Sequence, residues 1–172
     1  MTVTEGGRQM KVSVLITTYN LEQYVAQTLD SVLMQQVDFE YEILVGDDGS
    51  KDRTRDVVRQ YMERYPDRIS LFVMDREPDQ QYNRIARASR NRLNLISRAQ
   101  GEYLIFLDGD DVYTDSRKLQ RQADVLDAPE NRDCVACAHN IWLYWDEQRR
   151  EPVNPYTKEF KVKGRTYWRD VM

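Results

Sequence analysis

The chain has 172 residues, of which 41% are apolar and 31% charged, enough to bury the core of one soluble domain. Its 25 basic residues face 29 acidic ones for a net charge of −4, which argues against general nucleic-acid binding, since phosphate backbones demand clustered Lys and Arg. No apolar run approaches the roughly 18–20 residues of a membrane span, and "MTVTEGGRQM" holds no apolar signal segment, so the sequence reads as cytoplasmic with a flexible lead-in over residues 1–10.

"KVSVLITTYN" is a near-continuous, β-branched apolar run, the pattern of a buried parallel strand. Asn20 is expected to start a helix with Gln23 as its capping-box partner, placing Leu21, Val25, Leu29, Val32 and Leu33 on one face. "YEILVGDDGS" repeats the scheme, and the helix after it should turn Val57, Val58, Tyr61, Met62 and Tyr65 inward before Pro66 stops it. "ISLFVM" is a third strand and "REPDQQYN" a polar loop. Residues 84–99 suit a helix with Ile85, Ala88, Leu95 and Ile96 inward and Gly101 as its C-cap. "EYLIFLDGDD" is the fourth strand, and Asp115 is placed to cap a helix reaching Leu126.

Four strand–helix alternations predict an α/β fold with a mostly parallel sheet. After Pro129 the pattern changes: "CVACAHNIWLYWDEQRREP" reads as a long strand or bend, and "FKVKGRTYWRDVM" as a strand entering a short helix. Cys134 and Cys137 form an isolated C-x2-C with His139 nearby. Without a second pair they read as small apolar fillers rather than zinc ligands.

Three strand ends carry polar signatures: Thr17-Thr18-Tyr19-Asn20, Asp47-Asp48-Gly49-Ser50 and Asp108-Gly109-Asp110-Asp111. A parallel sheet brings such ends to one edge, the place where α/β sheets bind ligands. Five carboxylates there repel one another unless a cation intervenes. Mg2+ or Mn2+ together with a diphosphate suits hard oxygen ligands. Asp-Asp-Gly alone is more often a simple turn; two acidic clusters at matching strand ends favour a site. Arg84, Arg87, Arg90, Arg92 and Arg98 could grip phosphates, though a solvated helix face suits most of them. Trp142, Trp145, Tyr167 and Trp168 suit packing more than a sugar site.

Together, "VSVLITTYNLEQYVAQTLDSVLMQ", "YEILVGDDGSKDRT", "GEYLIFLDGDDVY" and "TDSRKLQRQADVLD" resemble the family 2 glycosyltransferases, over about residues 11–145. The resemblance implies a glycosyltransferase-A fold, a nucleotide-binding sheet with an antiparallel C-terminal addition. It implies metal-dependent, inverting transfer from a UDP-sugar to a saccharide or lipid-linked acceptor, in polysaccharide assembly, with peripheral membrane association compatible. Thr18, Tyr19, Asn20 and Glu22 would touch the nucleoside, and Asp47 or, preferably, Asp48 would accept a hydrogen bond from the base. Asp108-Gly109-Asp110 stands at the family's D-x-D motif, with Asp110 on the metal, Asp108 on the ribose or a metal-bound water, and Asp111 bracing them. Asn91 falls on the donor side, Lys118, Leu119 and Gln122 look structural, and His139-Asn140 resembles a family pair without an assigned role.

Two departures stand out. Thr17 replaces a proline common in the family. None of Asp133, Asp146, Glu147 or Asp170 stands in a base motif, so the resemblance implies that residues 11–172 are the donor-binding part of a longer enzyme whose base lies beyond Met172. A receiver-like signalling domain, a phosphatase and a non-catalytic nucleotide-sugar-binding module are the rival readings. The receiver wants a strand-end Lys that "CVACAHNIWLYW" lacks, and the phosphatase wants its D-x-D at the first strand.

Overall fold

The computed structural model describes residues 9–74, 84–139, 141–144 and 150–153. The chain divides into two compact units, one ending at Leu119 and the other starting at Gln120. The first unit is built on β1 (Met10–Thr18), α1 (Val25–Leu33), β2 (Glu40–Asp47), α2 (Thr54–Arg64), β3 (Ile69–Val73), α3 (Arg84–Ile96) and β4 (Tyr103–Asp108). Its four strands form one parallel sheet in the order β3-β2-β1-β4. The expected α/β class and parallel sheet are thus observed.

The two faces of the sheet carry apolar clusters of unequal size. Val12, Val14 and Ile16 join Ile43 and Val45 of β2 against Val25, Leu29 and Val32 of α1 and Val58 and Tyr61 of α2 in the main core. Each of the fully buried aliphatic side chains contributes about 1.5–3 kcal/mol over its exposed state. The Tyr61 hydroxyl ties α2 to α1 by donating to Asp30 at 2.8 Å. Across the sheet, Leu15 and Leu44 meet Leu95 of α3 in a much smaller cluster, with Phe72 and Ala99 packed on it.

Several sequence expectations are corrected. The first strand starts at Met10, one residue before the expected boundary at 11. Asn20 does not cap α1: that helix starts at Val25, five residues later, with no side-chain cap. Tyr65 is 41% exposed at the end of α2. On α3, Ala88 and Ile96 are exposed, and Asn91 and Leu95 are buried in their place. Gly101 is not a helix cap, since α3 stops at Ile96, and the Gly101 amide donates to the Ser13 hydroxyl at 2.8 Å. Asp115 stands three residues before α4 (Lys118–Asp127) and accepts from the Arg117 amide at 2.8 Å in the turn that leads into it, short of the N-cap position.

In the second unit, Cys134–His139 is irregular rather than a strand. β5 (Ile141–Tyr144) and β6 (Arg150–Val153) then pair antiparallel, the expected C-terminal addition. Cys134 and Cys137 are half-buried and form no disulfide, with the Gln122 amide 3.4 Å from the Cys137 sulfur. The polar loop at 76–83, Ile85 and Trp142 as side chains, Asn140, Trp145, Asp146, Glu147 and everything from residue 154 on, with Tyr167, Trp168 and Asp170, lie outside the described residues.

Candidate functional site

Strand register brings the polar strand ends together. Thr18 at the end of β1 pairs with Asp47, and Thr17 pairs with Asp108. The two acidic corners therefore flank β1, one strand spacing to each side, about 10 Å apart. Chain order reverses here, since β1 lies between β2 and β4, which makes this edge the topological switch point of the sheet.

Asp47 and Asp48 have separate tasks. Asp47 is fully buried and holds the corner. Its carboxylate accepts from the Thr18 hydroxyl at 3.1 Å, from the Ser50 amide at 2.8 Å and from the Ser50 hydroxyl. Asp48 is only part-buried, and Arg87 of α3 grips it with Nε at 2.9 Å and Nη2 at 2.5 Å from Oδ1. Both side chains of that pair are nearly enclosed, at 14% and 13% exposure. A two-point, charge-assisted contact of this kind fixes carboxylate orientation as well as charge.

The loops after β1 and β2 are stitched to each other. The Asn20 amide donates to Ser50 Oγ at 2.9 Å, and Asn20 Oδ1 accepts from the Lys51 amide at 2.8 Å. Leu21 N–H donates to Thr54 Oγ1 at 2.7 Å, Glu22 N–H to Asp52 at 3.1 Å, and Arg53 N–H back to Glu22 at 2.8 Å. Asn20 reaches this position at φ 53°, a left-handed backbone that Asn tolerates better than most residues. Burial works against the Asp52 carboxylate, but hydrogen bonds from Thr54 and the Glu22 amide prevail and hold it below its usual range. Tyr19 rides on this braced loop, half-buried.

The fourth strand end is more open. The Thr17 hydroxyl donates to Asp108 Oδ1 at 3.0 Å, a contact that proline at position 17 would forfeit. Arg92 Nη2 lies 3.1 Å from the same oxygen. Gly109 is buried because a Cβ there would stand 2.7 Å from Thr18 Cγ2; its amide donates to the Thr17 carbonyl, and its carbonyl accepts from the Thr28 hydroxyl. Asp110 and Asp111 point outward. Burial, then Asp110 and Asp108, push the Asp111 carboxyl above its usual value. The Tyr113 hydroxyl is buried without a hydrogen-bond partner among the described residues, and burial raises its pKa.

The donor set here is hard oxygen, and Asp110 has no hydrogen bond or ion pair among the described residues. No group of three or more His, Cys, Asp or Glu converges on one point among those residues. The residues thus suit Mg2+ or Mn2+ held by one or two carboxylates and completed by phosphate and water, rather than a self-sufficient protein cage.

Of the candidates named from sequence, Thr18, Tyr19, Asn20, Glu22, Asp47, Asp48, Asp108, Gly109 and Asp110 all gather at this edge. Asn91 is different: at 1% exposure its amide donates to the Gly46 carbonyl at 2.8 Å, so it anchors α3 under β2 rather than reaching outward. Sequence reasoning held Arg87 and Arg92 as two of five arginines that could grip phosphates, without singling them out as partners of the acidic corners. Their signal was indirect: five carboxylates at one sheet edge call for counter-charges.

Comparison with known proteins agrees with this geometry. The glycosyl transferase family 2 model matches residues 13–169. The uncharacterized protein Rv1520 of Mycobacterium tuberculosis is 31% identical over 144 residues, 84% of this chain and 39% of that protein. The uncharacterized glycosyltransferase alr2836 of Nostoc sp. is 36% identical over 133 residues, 77% of this chain and 37% of its own length. The chain thus spans about two fifths of the curated relatives it matches. The crystal structure of Staphylococcus aureus TarS 1-349 in complex with UDP-GlcNAc superposes with a TM-score of 0.56 at 30% identity, over 69% of this chain and 31% of that one. These matches leave the receiver-like and phosphatase readings without support. With a parallel sheet of the glycosyltransferase-A type and both acidic corners on its switch-point edge, the chain belongs to glycosyl transferase family 2.

Proposed function

We propose that this chain is the donor-binding part of an enzyme that transfers a sugar, with inversion, from a UDP-sugar to a saccharide or lipid-linked acceptor. The observation that carries the reading is the register placing Asp47-Asp48 and Asp108-Gly109-Asp110 on either side of the β1 end. A nucleoside fits one corner and its diphosphate the other. The UDP-GlcNAc complex of TarS, at 30% identity, supports a uridine donor.

In this reading Tyr19 and the backbone of Thr18–Asn20 form the floor under the base. Asp48, oriented by Arg87, accepts the base N–H. Asn20 and Glu22 keep that floor rigid by bracing the neighbouring loop, and Asn91 fixes the helix that carries Arg87. Asp108 serves the ribose or a metal-bound water, and Asp110 is the direct metal ligand. Gly109 lets the loop approach β1 closely enough to present both. A divalent cation bound there supplies Lewis-acid stabilisation of the departing diphosphate. The pre-set dipoles and charges of this edge need no reorganisation as that charge develops. The base that takes the acceptor's proton belongs outside the donor-binding part. No helix among the described residues is long and apolar enough to cross a membrane; cytoplasmic work, peripheral to a membrane where the acceptor is lipid-linked, goes with this reading.

Calorimetry with UDP and Mn2+ tests it. The parent chain is expected to bind UDP with Mn2+ present, and Asp110→Ala to lose at least about tenfold, the worth of one charge-assisted ligand. Equal binding by Asp110→Ala would overturn the metal assignment.

A further inference from the structure

One helix delivers a guanidinium to each acidic corner, and the two are held very differently. Arg87 is enclosed with Asp48 in a bidentate pair. Arg92, five residues on, meets Asp108 through one nitrogen at 3.1 Å, with the side chains 44% and 54% exposed. Between them Asn91 is clamped to the Gly46 carbonyl at 1% exposure, so the helix register is fixed while the Arg92 side chain is not. Asp108 keeps its orientation without Arg92, because Thr17 donates to the same oxygen.

We propose that Arg92 is a displaceable counter-cation: it neutralises Asp108 in the empty site, is expelled by the incoming divalent ion, and turns to the donor's diphosphate. This inference rests on the donor-site reading above. Two cations cannot share Asp108 without repulsion, so the metal alone is opposed by Arg92. When the metal arrives with a nucleoside diphosphate, the displaced guanidinium gains a better partner than it lost, since phosphate oxygens accept its planar fork in pairs. The residue thereby disfavours metal binding without donor and favours the two together. Arg92 is a positioning residue for the cation and a binding residue for the donor.

The test compares the parent, Arg92→Gln, Arg92→Lys and, as a control of equal charge change on α2, Arg59→Gln. Mn2+ binding without nucleotide is read by paramagnetic resonance, and UDP binding at saturating Mn2+ by calorimetry. Arg92→Gln is expected to bind Mn2+ alone about three- to tenfold tighter, a gain that shrinks with added salt, and to bind UDP with Mn2+ about three- to tenfold more weakly. Arg92→Lys should fall between, and Arg59→Gln should match the parent. Damage to the fold would not tighten metal binding. Unchanged Mn2+ affinity in Arg92→Gln overturns the counter-cation role, and tighter Mn2+ with unchanged UDP binding overturns the turn toward the diphosphate. A parent that binds neither Mn2+ nor UDP sinks the donor-site reading itself, and this inference with it.

Discussion

A Cβ on residue 46 would fall inside the side-chain amide of Asn91, which fills the space above β2 where any other residue would carry a side chain. Gly46 and Asn91 are therefore one unit, with the amide donating to the carbonyl of the residue whose missing side chain makes room for it. Gly46→Ala must push α3 off the sheet and pull Arg87 away from Asp48. The expected cost is about 1–3 kcal/mol, as for other overpacked sites. Chemical denaturation should show Asn91→Ala recovering part of that loss in the double variant, because the two residues share one space. Fully additive losses would mean that the contact does not matter. The family resemblance put Asn91 on the donor side, and its bond to a backbone carbonyl of β2, 45 residues away in sequence, could be known only from the fold.

Among the elements, the four strands were legible because each is a short apolar run, and the ends of β2 and β4 because carboxylates after such a run have nowhere apolar to go. The helices were less so. α3 was read by apolar period, yet it docks through Arg87, Asn91 and Leu95, since its polar positions find partners on β2 that lie far away in sequence. Asn20 was read as a cap because Asn suits that position, and it equally suits the left-handed backbone it adopts. The stitched loops follow from that choice and have a measurable consequence. Thr54 is fully buried, accepts from Leu21 N–H and donates to Asp52. Thr54→Val keeps the shape, strands the Leu21 N–H and removes one of the hydrogen bonds to Asp52, for an expected loss of about 1–3 kcal/mol and faster amide exchange at Leu21. Asp52 titrates below its ordinary 3.8 in the folded chain, so its contribution is present above that value and fades as pH falls through the lower folded one. The penalty of Thr54→Val should therefore be largest near neutrality and shrink below pH 3.8. A pH-independent penalty would show that Thr54 acts by packing alone.

At the scale of the whole molecule, the sheet is lopsided. The face toward α1 and α2 closes over the main core, while the face toward α3 gathers, among the described residues, only the small apolar cluster of Leu15, Leu44 and Leu95. β4 shows the imbalance most clearly. Its Leu107 points into the covered face and is 7% exposed, whereas Leu104 and Phe106, of opposite pleat, are 41% and 46% exposed. Alternation along a strand normally puts polar residues on such a face, so two large apolar side chains there are a liability for a chain in water. The stability of this unit should hence come from the α1–α2 side and owe little to Leu104 and Phe106. Replacing both with Thr, whose β-branched side chain suits a strand, should change unfolding free energy by no more than about 0.5 kcal/mol, as expected of surface positions. The same change should lower the binding of an apolar fluorescent dye and any concentration-dependent self-association measured by light scattering. A large loss of stability in the double variant would show instead that this face is packed in solution, and that the sheet is closed on both sides.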